Sequence, residues 1–220
     1  MEKTEIERNI QHVLSRIDAV TAGAKSKVRI VAATKTVPPE SVSVALDCGI
    51  IDIGENRVQE YLIKRDGVSG AQWHFIGTLQ TNKAKYLVGN IALIQSVNSL
   101  SLAREIDRLA KNRGVVQDVL VEVNVAGESS KTGAAADSAE ELCSHVDGLD
   151  GVRLCGLMSV PPRDAGDNVY RDIRNLYERL ARGRQYFEIL SVGMSNDYER
   201  AVAFGSNMVR IGTAIFGRRN

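Results

Sequence analysis

The sequence predicts a single (β/α)8 barrel of the TIM type with an additional N-terminal helix. Three observations carry that prediction. Short apolar, partly β-branched segments alternate with helical segments along the chain, a pattern that makes parallel strands with covering helices. The apolar segments number eight, which favours closure into a barrel over an open doubly wound sheet. Polar and glycine-rich residues gather just past the C-terminal ends of those segments, the face on which such barrels build their sites.

The helix over residues 4–20 has Thr4 as its expected N-cap. Ile6, Ile10, Val13, Leu14, Ile17 and Val20 fall on one face of it, so it must pack on something. Residues 28–37, VRIVAATKTV, read as a buried strand that ends in one amine, Lys35. Pro39 suits the first turn of a helix over 39–48, and Gly49 closes it. The unit then recurs. Residues 50–54 (IIDIG) form a strand with GEN at its tip and a helix near 56–65. Residues 72–77 (QWHFIG) precede a helix near 81–88, and 91–97 (IALIQSV) precede one that Asn98 or Ser99 caps and that runs to about residue 112. Residues 118–125 (DVLVEVNV) lead through AGESSKTG to a helix near 135–147. Residues 152–158 (VRLCGLM) lead through SVPPR to a helix near 166–182. Residues 187–192 (FEILSV) lead through GMSND to a short helix near 197–204, and 207–211 (NMVRI) complete the set. Little room is left for an eighth helix, so the N-terminal helix is expected to cover part of that gap. No Gly/Ser/Pro-rich linker interrupts the series, and residues 1–220 are expected to form one domain.

Composition narrows the function classes. A net charge of +1 gives no broad electrostatic case for nucleic acid or an anionic membrane. There is no apolar run near the length of a spanning helix, and MEKTEIERNI lacks the apolar core of a signal peptide. Cys48, Cys143 and Cys155 are widely spaced without a CxxC pair, which suits buried thiols and a cytoplasmic location. His12, His74 and His145 have no metal-ligand spacing, so no metal is expected. No exposed apolar helix face demands a dimer, and a monomer is expected. The closing GRRN reads as a solvated basic terminus.

The strand tips carry Lys35, Glu55 and Asn56, His74–Gly77, Asn98, Asn124, Met158 and Ser159, Gly193–Asn196 and Arg210–Thr213. Loops after strands seven and eight of such barrels often hold a phosphate. In SVGMSND a helix start near Asp197 and the Ser195 hydroxyl would make an anion site; Ser195 as a plain cap or turn residue is the alternative. In RIGT, Gly212 permits close backbone approach and Thr213 donates a hydroxyl, or the two form a tight exit turn. Arg210 inside the apolar MVRIG needs an acceptor, either a structural carboxylate or a ring nitrogen of a cofactor. The second option suits pyridoxal phosphate, whose ring nitrogen is met by Asp or Arg. Lys35 would then meet its aldehyde. A Schiff base needs the neutral amine, which an apolar barrel mouth beside Arg210 would favour.

AATKTV, IGENRVQE, WHFIGTLQTNK, VNVAGESSKTG, GLMSVPP and SVGMSNDYERAVAFGSNMVRIGTAIFG together closely resemble the YggS/PROSC family of pyridoxal phosphate homeostasis proteins, over about residues 28–217. The resemblance implies a barrel like the N-terminal domain of alanine racemase. It implies that Lys35 carries pyridoxal 5'-phosphate as a Schiff base, that Asn56 contacts the cofactor, and that Ser195, Gly212 and Thr213 hold its phosphate. Arg210 then faces the pyridine nitrogen.

Two functions from different classes follow: a carrier that buffers the cofactor or delivers it to apo-enzymes, and an amino-acid racemase. Racemisation needs a base on each face of the substrate, and Lys35 supplies one. In alanine racemase-like enzymes the second is a tyrosine linked to a further β domain, which is not expected here. Tyr61, Tyr86, Tyr170, Tyr177, Tyr186 and Tyr198 mostly fall in helices or connections away from the tips. An arginine at the ring nitrogen also weakens the ring as an electron sink. The carrier is therefore the expected function, with no catalytic residue assigned.

Overall fold

The computed structural model describes residues 2–22, 28–127 and 132–217. Its chain falls into two compact units, residues 1–74 with 192–220 and residues 75–191.

In the first unit, α1 (Lys3–Val20) precedes β1 (Arg29–Ala33), α2 (Pro39–Asp47), β2 (Asp52–Glu55), α3 (Val58–Lys64) and most of β3 (Gln72–Phe75). Each strand is a short buried run, as parallel strands covered by helices must be. Pro39 opens α2, where its missing N–H is no loss, and Gly49 follows its end with φ of 86°. Ile6, Ile10, Val13 and Ile17 are the buried stripe of α1, while Leu14 and Val20 are half-buried at its margin. Thr4 is not the N-cap: Glu2 holds that position without a side-chain cap, and Thr4 lies in the first turn.

The second unit contains a 3-10 helix at Thr81–Tyr86, β4 (Leu93–Val97), α4 (Leu100–Arg113), β5 (Gln117–Asn124), the two-residue β6 (Ala134–Ala135), α5 (Ala139–Asp147), β7 (Val152–Met158), α6 (Asp167–Ala181) and β8 (Ile189–Ser191). Ser99 is the cap of α4, its Oγ accepting from the Leu102 N–H at 3.4 Å, and Gly114 ends that helix in the left-handed region. Two expected α-helices are tighter than predicted. The segment after β3 is a 3-10 helix, and the helix expected near 135–147 begins as a 3-10 turn at Ala136–Ser138. In AGESSKTG, residues 128–131 lie outside the described residues, as do 218–220 of the terminal GRRN.

The chain returns to the first unit with α7 (Tyr198–Ala203), β9 (Met208–Ile211) and α8 (Thr213–Phe216). The four-residue α8 fills the space in which little helix was expected. α1 packs against α2, α7 and α8, and the Asn9 amide donates to the Ile215 carbonyl at 3.0 Å. The N-terminal helix therefore does the covering work the sequence predicts. Strand order is β4-β3-β2-β1-β9-β8-β7-β5, with β4 also paired to β5 and β6 beside β5. This is the ring of a (β/α)8 barrel with α1 added in front.

Candidate functional site

All six residues singled out for cofactor contact belong to the first unit, and strand register brings them into relation. Val31 pairs with Asp52 on β2 and with Arg210 on β9. Paired residues of parallel strands point to the same face, and every second residue returns to it. Val31, Asp52 and Arg210 therefore share one row. Ala33 pairs with Gly54, and Gly212 follows the Ala32–Ile211 pair at the same level. These three small residues form the next row on that face. Lys35 and Asn56 stand one row further, just past the strand ends and half-buried. Two rows span roughly 13 Å along the strands. Arg210 lies at one end of that span and Lys35 at the other, with residues of almost no side chain between them. Arg210 itself is 4% exposed.

Ser195 makes the second convergence. Its Oγ accepts from the Gly212 N–H at 3.2 Å and from the Ala214 N–H at 3.1 Å. Thr213, between them, is exposed. Three amides of the turn before α7 are already engaged within it. The Asp197 and Tyr198 N–H groups donate to the Met194 carbonyl, and the Met194 N–H donates to Asp197 Oδ1 at 2.7 Å. The Gly212 and Ala214 N–H groups at the start of α8 thus converge on one oxygen, that of Ser195. Gly193 makes the approach possible. Its φ is 104°, and a Cβ there would stand 2.8 Å from the Ala201 Cβ, while its carbonyl accepts from the Arg210 N–H at 2.9 Å.

A third cluster lies against the tip that carries Lys35. The Lys64 ammonium, 6% exposed, donates at 2.6 Å to both the Thr34 carbonyl and Glu55 Oε1. It also lies 3.6 Å from Glu60. Glu55 Oε1 accepts from the Thr34 hydroxyl at 2.6 Å as well, while Glu55 Oε2 is buried without a partner. Burial pushes the Glu55 carboxyl above its ordinary value, against the hydrogen bonds from Lys64 and Thr34. Sequence reasoning missed Lys64 and Glu60. One signal was present: Lys64 shares the three-residue spacing of Val58 and Tyr61, the other buried positions of α3. A lysine in the apolar phase of a helix needs a buried acceptor.

His74 proves not to be a free tip residue. Its Nε2 lies 3.0 Å from Asp52 Oδ1, and Asp52 also accepts two hydrogen bonds from Arg29 at 3.1 and 2.6 Å. Burial lowers the His74 pKa, against the hydrogen bond and charge of Asp52. Burial alone would raise the Asp52 carboxyl, but the bonds and charges of His74 and Arg29 outweigh it and bring the group to about 2. Of the other polar tip residues, Ser159 donates to the Val123 carbonyl at 2.7 Å within the second unit. Among the described residues no His, Cys, Asp and Glu cluster has a metal-holding arrangement, and no helix is long and apolar enough to cross a membrane.

Comparison with known proteins gives a consistent set of matches. Residues 5–220 match the family model described as alanine racemase, N-terminal domain. The chain is 41% identical over 220 residues to the pyridoxal phosphate homeostasis protein of Aquifex aeolicus, with 96% of each covered. A crystal structure of an unknown protein from Bifidobacterium adolescentis superposes with a TM-score of 0.89 at 35% identity, covering 97% of this chain and 95% of that one. PipY of Synechococcus elongatus PCC7942, solved with PLP bound, superposes with a TM-score of 0.81 at 28% identity, covering 92% of this chain and 99% of that one.

Proposed function

The chain belongs to the alanine racemase N-terminal-domain family and, within it, to the YggS/PROSC group of pyridoxal phosphate homeostasis proteins, and on that premise we propose that it holds pyridoxal 5'-phosphate and buffers or delivers it. The observation that supports this reading most is the row geometry of β1, β2 and β9. Arg210 lies on the row of Val31 and Asp52, Lys35 follows two residues after Ala33, and Ala33, Gly54 and Gly212 leave the interval between them without bulk. A flat heteroaromatic ring suits such an interval.

Each residue then has a defined task. The Lys35 amine and the ligand's aldehyde carbon form a C=N bond with loss of water, the chemistry by which the cofactor is retained. Arg210 donates to the ring nitrogen and, being permanently charged, keeps that nitrogen unprotonated. Asn56, level with Lys35, contacts the ring from the neighbouring tip. The Gly212 and Ala214 N–H groups, which already converge on one oxygen, take phosphate oxygens together with the Ser195 and Thr213 hydroxyls.

The function is read as carriage rather than catalysis. An unprotonated ring nitrogen withdraws electrons weakly, and holding the cofactor needs one amine where racemisation needs two bases. The match to the family model spans both compact units, which supports treating the chain as one cofactor-binding domain. A monomer in the cytoplasm that passes the cofactor to apo-enzymes completes the reading.

Purified protein reconstituted with pyridoxal 5'-phosphate is expected to be yellow, and Lys35→Ala to lose the visible band. A wild-type protein that stays colourless after reconstitution would overturn the assignment. Mixing the loaded protein with an apo-enzyme should restore that enzyme's activity. Sustained racemisation of any amino acid, lost in Lys35→Ala, would instead make it an enzyme.

A further inference from the structure

Lys35 occupies the second position of a four-residue turn, Thr34–Val37, closed by the Val37 N–H donating to the Thr34 carbonyl at 2.9 Å. The third position, Thr36, has φ of 62° and is the only non-glycine residue with positive φ among those described. A turn of the type II pattern asks for glycine or asparagine there, because a Cβ crowds the backbone. A β-branched residue in that region is an outlier that persists when its surroundings over-determine it.

The surroundings do so from both sides of the turn. The Glu60 carboxylate accepts the Thr36 N–H at 2.7 Å, a donor that a β-turn of this kind leaves without an internal partner. The Lys64 ammonium donates to the Thr34 carbonyl at 2.6 Å. Glu60 and Lys64 lie one turn apart on α3 and are 3.6 Å from each other. Lys64 is anchored in turn by Glu55, which is 1% exposed. One short helix therefore grips the peptide before Lys35 and the peptide after it. Nothing about covering β1 and β2 requires this. A glycine at position 36 would make the same turn without a clamp.

We propose that Glu60 and Lys64 are positioning residues for Lys35: they hold its turn in the strained conformation that directs the amine along the inward face, and so set how slowly the cofactor leaves. This rests on the reading that Lys35 carries pyridoxal 5'-phosphate. Loosening the clamp relaxes Thr36 to negative φ, rotates the Lys35 stem away from its row and speeds release. The grip on α3 is then the control point of a carrier, which must hold its cargo yet surrender it.

The test compares wild type, Glu60→Ala, Thr36→Asn and the double variant, each loaded with pyridoxal 5'-phosphate. The readouts are decay of the visible band in the presence of a carbonyl scavenger, and borohydride trapping at Lys35 by peptide mass. Losing a hydrogen bond to a charged acceptor should speed release by about tenfold or more in Glu60→Ala. Asparagine tolerates positive φ, so Thr36→Asn should restore retention in the Glu60→Ala background to within about threefold of wild type. A merely structural contact would lower the melting temperature without that rescue. Unchanged release in Glu60→Ala overturns the proposal, and so does fast release that Thr36→Asn fails to correct. Amide exchange in the cofactor-free protein separates the clamp from the cofactor reading. Thr36 N–H should be protected in wild type and unprotected in Glu60→Ala, and equal exchange in both removes the clamp even if the wild type binds. A colourless wild type that retains the protection difference would instead sink the cofactor reading and leave the clamp standing.

Discussion

Replacing Lys64 with methionine keeps the length of the stem and removes the ammonium that balances Glu55. The carboxylate is then left with the Thr34 hydroxyl on one oxygen and nothing on the other. Breaking a buried ion pair by removing one partner costs about 3–5 kcal/mol, but protonation sets a ceiling. Holding a carboxyl of ordinary pKa about 4.3 as the neutral acid at pH 7 takes roughly 3.7 kcal/mol, and at pH 5 about 1 kcal/mol. The Thr34 carbonyl loses a hydrogen bond at either pH, adding about 1 kcal/mol. Lys64→Met should therefore destabilise the protein by up to about 4–5 kcal/mol at pH 7 and about 2 kcal/mol at pH 5. These are upper figures, because the native Glu55 carboxyl already stands above its ordinary value. A group raised in this way contributes its stability fully below its ordinary pKa and loses it as pH rises through the folded one, so acidification also helps the wild type. Urea unfolding at both pH values measures the difference. Trp73 is the single tryptophan, buried at 7% exposure with its ring 5.5 Å from Tyr61 of α3, which makes its fluorescence a local probe. Equal penalties at pH 5 and pH 7 would show that an uncompensated Glu55 is not the cause.

Other outcomes follow from the same structure. His74 is buried, and burial lowers its pKa. The stability it contributes is present above about 6.5 and lost as pH falls below, so His74→Gln should flatten the unfolding profile between pH 7 and 5; an unchanged slope would place that proton elsewhere. Asp52, held at about 2, contributes above its ordinary value and loses its contribution as pH falls from about 4 to 2, by about 1–2 kcal/mol after allowance for solvent screening. Arg29→Met should shrink that acid loss, measured by the urea midpoint at pH 2.5 against pH 5. Two glycines of positive φ, 86° at Gly49 and 147° at Gly156, differ in whether steric overlap adds to backbone strain. Gly49 has φ of 86° with nothing near its missing Cβ, whereas a Cβ on Gly156 would lie 1.8 Å from the Ile189 carbonyl oxygen. Gly49→Ala should cost about 1–2 kcal/mol and Gly156→Ala about 3 kcal/mol or more. Similar losses in thermal melts would refute the overlap argument. Finally, Ser195→Ala should weaken retention of pyridoxal 5'-phosphate and lower the inhibition by inorganic phosphate of its binding; unchanged values would return Ser195 to a helix-capping role.

The residues that sequence reasoning reached and those it missed differ in a physical way. β1 with Lys35 at its tip was legible because a buried parallel strand is a local pattern of apolar residues, and an amine after it interrupts that pattern. Arg210 stood out for the same reason inside MVRI, and the stripe of α1 followed from its helical period. Thr4 was misread because a threonine before an apolar stripe is a cap only if the chain enters there, and α1 starts one residue earlier. The segment after β3 has a helix-like composition but winds as a 3-10 helix, a distinction that local preference does not encode.

Alternation, strand count and the polar bias of the tips are properties of consecutive residues, so the barrel, its added N-terminal helix and the set of candidate tips can be read along the chain. Tertiary structure decided which of those residues stand together. The pairing of Val31 with both Asp52 and Arg210 is set by register, and a one-residue slip would turn Arg210 to the other face. The convergence of Gly212 and Ala214 on Ser195 joins positions 17 and 19 residues apart. The grip of Glu60 and Lys64 on the turn around Lys35 spans 24 and 30 residues. Contacts of that kind depend on how strands and helices are laid against one another, which no local run of side chains records.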